Sequence, residues 1–269
     1  MVSDLIYKFR HFDHCGHHLR LLSRGELYFA KPKQFNDPFD CFTTLRFDLA
    51  TEAELIPEYV AQARRYKPDI TDEEAQEWAE QEYAREGPES RFDHQHNIRL
   101  SREGMDERWR VCTLSADWRS LLMWSHYSDN HRGFCVGFDH KRLCQQLYAE
   151  GKSSPFRDFP VSYRDNPPLS VPGRTEHVEA VYRGLNVKHL GWAYEQEHRI
   201  VALDLQDPVY SVDPATISEV TLGCQCNESD RARVFEALDV SGASPVVYQA
   251  LMRHDSYSLY REQLSRQSA

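Results

Sequence analysis

The stretch Tyr194-Glu195-Gln196-Glu197-His198-Arg199-Ile200-Val201-Ala202-Leu203 most limits how this chain can fold. Its second half reads as a buried strand, and two carboxylates stand at its entrance. In a strand alternate side chains face the same way, which predicts Glu195, Glu197 and Arg199 on one face. The alternative is a helical turn in which Glu195 and Arg199 form an i,i+4 ion pair before the strand begins. Paired carboxylates are the groups that a sugar or nucleotide transfer needs, so the segment bears on function as well as fold.

Similar short apolar runs predict strands at residues 4–10, 26–30, 110–115, 134–139, 161–163, 217–223 and 245–250. Helices are predicted over His17–Ser23, Ala116–Tyr127 with Ser115 as its cap, roughly 176–184, and Ser229–Leu238. Between Thr51 and Gly87 the chain reads as helical, because Thr51-x-x-Glu54 and Thr71-x-x-Glu74 are both capping boxes. The second of these helices, Asp72–Arg85, is strongly acidic and reads as a solvated face or partner surface. Residues 87–105 are polar and loop-like, and residues 165–175, with three prolines, form a loop. Short strands with helices laid between them predict an α+β fold. The expected organisation is one domain over residues 1–269 with a helical insertion at about 50–105.

Composition excludes several classes. No run of roughly 18 apolar residues is present. The start, Met1-Val2-Ser3-Asp4-Leu5-Ile6-Tyr7, lacks a basic region followed by an apolar stretch, so a cytoplasmic location is expected. A formal net charge of −10 argues against a broadly basic nucleic-acid binder. The seven cysteines are scattered, and Cys224-x-Cys226 has no second pair to complete a zinc site. His11-Phe12-Asp13-His14-Cys15-Gly16-His17-His18 gathers four histidines and a cysteine, but its spacing fits no standard site, and no metal centre is predicted. Gly-x-Ser-x-Gly, Gly-x-Gly-x-x-Gly, a phosphate loop and His-Glu-x-x-His are all absent from the sequence.

Two further segments are candidates. Trp124-Ser125-His126-Tyr127 places aromatic and imidazole groups at the end of one helix, with His126 either a site base or a structural histidine. Phe35-Asn36-Asp37-Pro38-Phe39-Asp40 is a turn anchored by two phenylalanines, either rigid scaffold or a loop lining a site. A metal-dependent nuclease-like effector would use Asp37, Asp40 and the glutamates to hold magnesium; no lysine is fixed near those acids in sequence, though Lys188 could serve.

Six motifs fall in order along the chain: Tyr7-Lys8-Phe9-Arg10, Leu27 to Pro32, Phe35 to Asp40, Met123 to Tyr127, His131 to Phe138, and Tyr194-Glu195-x-Glu197-x-Arg199. Together they resemble one uncharacterised bacterial family of unknown function over nearly the whole chain, with residues 45–105 the least familiar part. The position of some relatives near phage-defence genes implies a toxin or defence role. An aromatic-rich strand ending in Arg, a strand ending in Ser, and Glu-x-Glu opening a strand also resemble the Arg–Ser–Glu class of ADP-ribosyltransferases.

That resemblance implies a split antiparallel β-sandwich holding NAD, as a substrate, in a cleft. It implies that Arg10 contacts the NAD phosphates or ribose, Ser115 orients the site, Glu197 bonds the nicotinamide ribose and Glu195 activates the acceptor. The catalytic pair would be Glu197 and Glu195. The NAD-contacting set would be Arg10, Tyr7, Ser115, Trp124, Tyr127, His126, Asn36 and Phe39, with Trp124 or Tyr127 stacking on nicotinamide. The class has Ser-Thr-Ser where this chain has Thr113-Leu114-Ser115. The acceptor would be a protein or nucleic acid, or water if NAD is only hydrolysed. The reading from another class is a non-catalytic interaction or sensor module, antitoxin-like, with the acidic helix as its interface.

Overall fold

The computed structural model describes residues 5–91, 93–148, 155–175 and 177–265. Its strands in chain order are β1 (Leu5–Arg10), β2 (Glu26–Tyr28), β3 (Thr44–Leu45), β4 (Trp109–Ser115), β5 (Phe134–Asp139), β6 (Phe156–Pro160), β7 (Ser162–Arg164), β8 (Leu169–Ser170), β9 (Val187–His189), β10 (Glu197–Leu203), β11 (Val209–Ser211), β12 (Ile217–Leu222), β13 (Val246–Met252) and β14 (Leu259–Gln263). The helices are α1 (Arg20–Arg24), α2 (Glu52–Tyr66), α3 (Asp72–Arg91), α4 (His94–Arg108), α5 (Leu121–Tyr127), α6 (His140–Leu147), α7 (His177–Asn186) and α8 (Glu228–Ser241). The fold is α+β, as predicted. The chain forms two compact units: Met1–Ala30, Trp109–Val161 and Gly191–Ala269 make the first, and Lys31–Arg108 with Ser162–Leu190 make the second.

The first unit is built on an eight-stranded sheet ordered β14-β13-β12-β5-β1-β4-β10-β6. An antiparallel core was expected, but the sheet is mixed, because β12 and β13 run parallel. The helix α8 lies between them in sequence and carries the chain back to the same end, which a parallel pair requires. Alternation along the strands divides the side chains between two faces. One face carries Ile6, Leu114, Val136, Phe138, Ile200 and Val220 under α1, α6 and α8, whose Leu21, Leu143 and Val234 are buried with them. The other carries Tyr7, Phe9, Cys135 and Ala250 under Met123 and Trp124 of α5.

The two halves of this sheet are joined narrowly. β1 pairs with β5 at six positions, Leu5 to Arg10. With β4 it has one registered pair, Tyr7 opposite Ser115. Beyond that pair the Lys8 ammonium donates to the Thr113 carbonyl and to its hydroxyl at 3.2 Å, a side chain standing where a strand neighbour would otherwise donate.

In the second unit α2 packs against α3 through Leu55, Tyr59 and Ala79. Both capping boxes form as the spacing predicts: Thr51 donates to Glu54 at 2.7 Å, and Thr71 to Glu74 at 3.1 Å. Residues 87–105 were expected to be a loop, but α4 occupies most of them. Its exposed face is polar enough to hide the period, and only Asn97 and Met105 are buried. α6, β6 and β14 were likewise not anticipated. β6 lies at the sheet edge, so one side of its backbone needs no partner and its sequence tolerates Pro160.

Candidate active site

Glu195 and Glu197 are not strand neighbours. Leu190–Glu195 is a 3₁₀ turn, and β10 begins only at Glu197. Gln196 between them adopts φ +43°, a left-handed conformation that turns the chain and removes Glu195 from the strand alternation. The turn is held by Ala116 N–H donating to the Gln196 carbonyl at 2.9 Å and by Ser115 Oγ donating to the Glu195 carbonyl at 2.6 Å. Ser115 also accepts from the Asp117 amide at 3.2 Å. It does not cap a helix at Ala116: α5 starts at Leu121, and its cap is Ser120, which accepts from the Met123 amide.

The ion pair is correspondingly different from the i,i+4 alternative. Arg199 donates from Nε to Glu197 Oε1 at 2.7 Å and from Nη2 to Oε2 at 3.1 Å, a bidentate fork between groups two apart on one strand face. Arg199 is completely buried and Glu197 is 4% exposed. Glu195 is buried as well, and its Oε1 accepts from the Tyr127 hydroxyl at 2.6 Å. Register sets Glu197 opposite Ser115, and Ser115 opposite Tyr7. A row Tyr7–Ser115–Glu197 therefore crosses three adjacent strands on one face. Tyr7 in turn faces Gly137, where a Cβ would come within 3.0 Å of the tyrosine ring. A side chain there would also press on Glu219, whose Cγ would lie 2.7 Å away, so glycine leaves room for both neighbours.

Other predicted residues are placed elsewhere. Arg10 falls three residues after Tyr7, opposite Phe134, so alternation turns it to the other face of the sheet, and burial lowers its pKa from the usual value. Trp124 was expected to stack on a ligand, but it is completely buried, edge-on to Phe9 with ring centroids 5.2 Å apart and with Nε1 donating to the Trp118 carbonyl at 2.6 Å. It is core. His126 is exposed, beside Tyr194. Asn36 and Phe39 are exposed in the second unit. There Asp37 accepts from the Phe39 amide at 2.9 Å, and Asp40 forms a buried ion pair with Lys188 at 3.2 Å. Those acids are committed to a turn and an ion pair. The His11–His18 run is a capped turn, with the Asp13 carboxylate accepting from the His17 and His18 amides, each at 2.8 Å.

Sequence reasoning missed two charged groups here. Lys8 is buried, and desolvation lowers its pKa to about 8 against a smaller opposing pull from Cys112 and Glu197. On the Tyr7 face, Arg261 forks onto Glu219 at 2.6 and 2.9 Å and lies between the Trp118 and Tyr248 rings, 4.5 and 4.0 Å from their centroids. Its partner lies 42 positions away, so no local pattern announces the pair.

The Lys8 shift has a measurable sign. A lysine whose folded pKa is depressed takes up fewer protons in the folded state between pH 8 and 10.5, so its penalty is present in full below about pH 8 and relieved as pH rises to 10.5. Urea unfolding of wild type and Lys8→Met should show their stability difference shifting towards wild type by roughly 3 kcal/mol across that window. A difference that stays flat with pH would mean that Lys8 is not desolvated.

Residues 123–200 match the model of a family described as a protein of unknown function, DUF2971. This supports the uncharacterised family expected from the motifs. The DUF2971 segment contains α5 from Met123 onwards, the Glu195 turn, Glu197 and Arg199. No curated protein and no solved structure matches the chain, and the ADP-ribosyltransferase resemblance gains no support from these comparisons. Among the described residues no helix is long and apolar enough to cross a membrane.

Proposed function

We propose that the chain breaks the nicotinamide–ribose bond of NAD and passes ADP-ribose to a macromolecular acceptor or to water, with Glu197 as the central group. The observation that carries this reading is the Tyr7–Ser115–Glu197 row, which runs through the one registered pair joining β1 to β4. In this reading the narrow β1–β4 junction of the eight-stranded sheet corresponds to the split of the β-sandwich core. Nicotinamide leaves with the bond electrons, and the ribose carbon becomes cationic. A fixed carboxylate stabilises that charge better than water does. Arg199 grips both oxygens of Glu197 and so fixes the orientation of the carboxylate towards the ribose. Glu195, positioned by Tyr127, takes the proton of the attacking acceptor.

The burial of both carboxylates and the Glu197–Arg199 fork favour a second reading, a non-catalytic interaction module in which the pair fixes strand register. Its interface would be α3, where Asp72, Glu73, Glu74, Glu77 and Glu80 are exposed.

Purified protein with adenine-labelled NAD and fractionated lysate separates the two. Glu197→Gln should lower turnover on the order of 10²–10³-fold in a protein that still melts cooperatively, at a lower temperature because the buried Arg199 loses its carboxylate partner. Glu195→Gln, which spares the Arg199 fork, should block transfer more than nicotinamide release. Absence of NAD binding and turnover by the wild type would overturn the reading and leave the interaction module.

A further inference from the structure

His198 stands between Glu197 and Arg199 on β10, so alternation sends it to the opposite face of the sheet. Asp158 on the neighbouring edge strand β6 faces the same way, being opposite Ile200. His140 is the first residue of α6, held there because Asp139 caps the helix by accepting from the Arg142 amide at 2.9 Å. Three elements thus bring two imidazoles and a carboxylate to one point. His140 Nε2 lies 3.0 Å and His198 Nε2 3.1 Å from the same oxygen, Asp158 Oδ2. The imidazole rings meet edge to face with centroids 4.6 Å apart.

We propose that His140, Asp158 and His198 form a binding site for a divalent first-row transition ion of the zinc type. The three donor atoms all lie within 4.8 Å of one another, and among the described residues this is the one His/Cys/Asp/Glu group that does so. Ligands about 2.0–2.2 Å from a common ion are roughly 3.0–3.5 Å apart, so the triad needs little rearrangement to close on one. Two imidazoles with one carboxylate suit zinc, iron or cobalt rather than magnesium or calcium, which take all-oxygen shells. The second carboxylate oxygen is already engaged, as Tyr148 donates its hydroxyl to Asp158 Oδ1. That contact fixes the carboxylate and leaves Oδ2 to the ion, the usual service of an outer-shell partner. The side chains of His140, Asp158 and His198 are 32%, 23% and 15% exposed, so an ion has access and at least one coordination position stays open to water. All three residues fall inside the DUF2971 segment. The site is on the opposite face from Glu197 and stands independently of the NAD reading.

Chelator-treated full-length protein should be titrated with Co²⁺, followed by visible absorption, and with Zn²⁺ by calorimetry. The expected result is one site per chain, visible d–d bands of a low-symmetry cobalt centre that Zn²⁺ abolishes, and a Zn²⁺-dependent rise in melting temperature. His140→Ala and His198→Ala should each weaken binding at least 100-fold, and Tyr148→Phe about 10–100-fold. Wild type that binds neither ion more tightly than about 0.1 mM overturns the proposal without any variant. Undiminished binding by a folded His140→Ala/His198→Ala protein overturns it equally.

Discussion

Arg199→Met is expected to destabilise the first unit by about 3–5 kcal/mol, the range for removing one partner of a buried ion pair. The guanidinium is completely buried and engages both oxygens of Glu197. Methionine fills most of the volume, so the loss is electrostatic rather than a cavity. It strands a carboxylate that is 4% exposed. Lys8 lies close enough for Glu197 to influence its titration, and it compensates only in part because its own charge is desolvated. The double variant Arg199→Met/Glu197→Gln should recover most of the loss, since replacing both charges removes the desolvation cost along with the attraction. Urea unfolding of the four proteins closes the cycle. If Arg199→Met costs under 1 kcal/mol, or if the single effects simply add, the pair does not hold the start of β10.

Trp124→Ala is the second large effect, expected at about 3–5 kcal/mol. The indole is completely buried between Phe9, edge-on at 5.2 Å, and His131, stacked at 6.3 Å, and its Nε1–H satisfies the Trp118 carbonyl. Alanine removes the contacts, leaves a cavity and orphans the carbonyl. Trp124→Phe keeps the packing but not the donor and should cost about half as much. The same helix carries Tyr127, so loosening α5 should also release Glu195 from its hydrogen bond. A calorimetric melt distinguishes the outcomes: a transition of Trp124→Ala within about 2 °C of wild type would mean that α5 is not anchored through this ring.

Much of the fold was legible. The strands β1, β4, β5, β10, β12 and β13 coincide with apolar runs, because a strand covered on both faces needs continuous apolar side chains. Thr51 and Thr71 announced α2 and α3 because a capping box is a local bond pattern four residues long. β6 was hidden because an edge strand with Arg157, Asp158 and Pro160 has no such run, and α4 because its face is mostly polar. The candidate site was legible in type and not in geometry. Glu195, Glu197, Ser115 and Tyr127 are brought together, whereas Trp124 went to the core and Arg10 to the other face.

By itself the sequence determined the α+β class, the capping boxes of α2 and α3, most core strands and the presence of two carboxylates and an arginine at the mouth of β10. Those properties depend on neighbours within a few positions. Tertiary structure alone decided which glutamate Arg199 grips, through the left-handed turn at Gln196. It alone joined Glu219 to Arg261, and His140 to Asp158 and His198. Those groups meet through sheet order and helix placement, and side chains 18 to 42 positions apart carry no mark in the sequence of the register that brings them together.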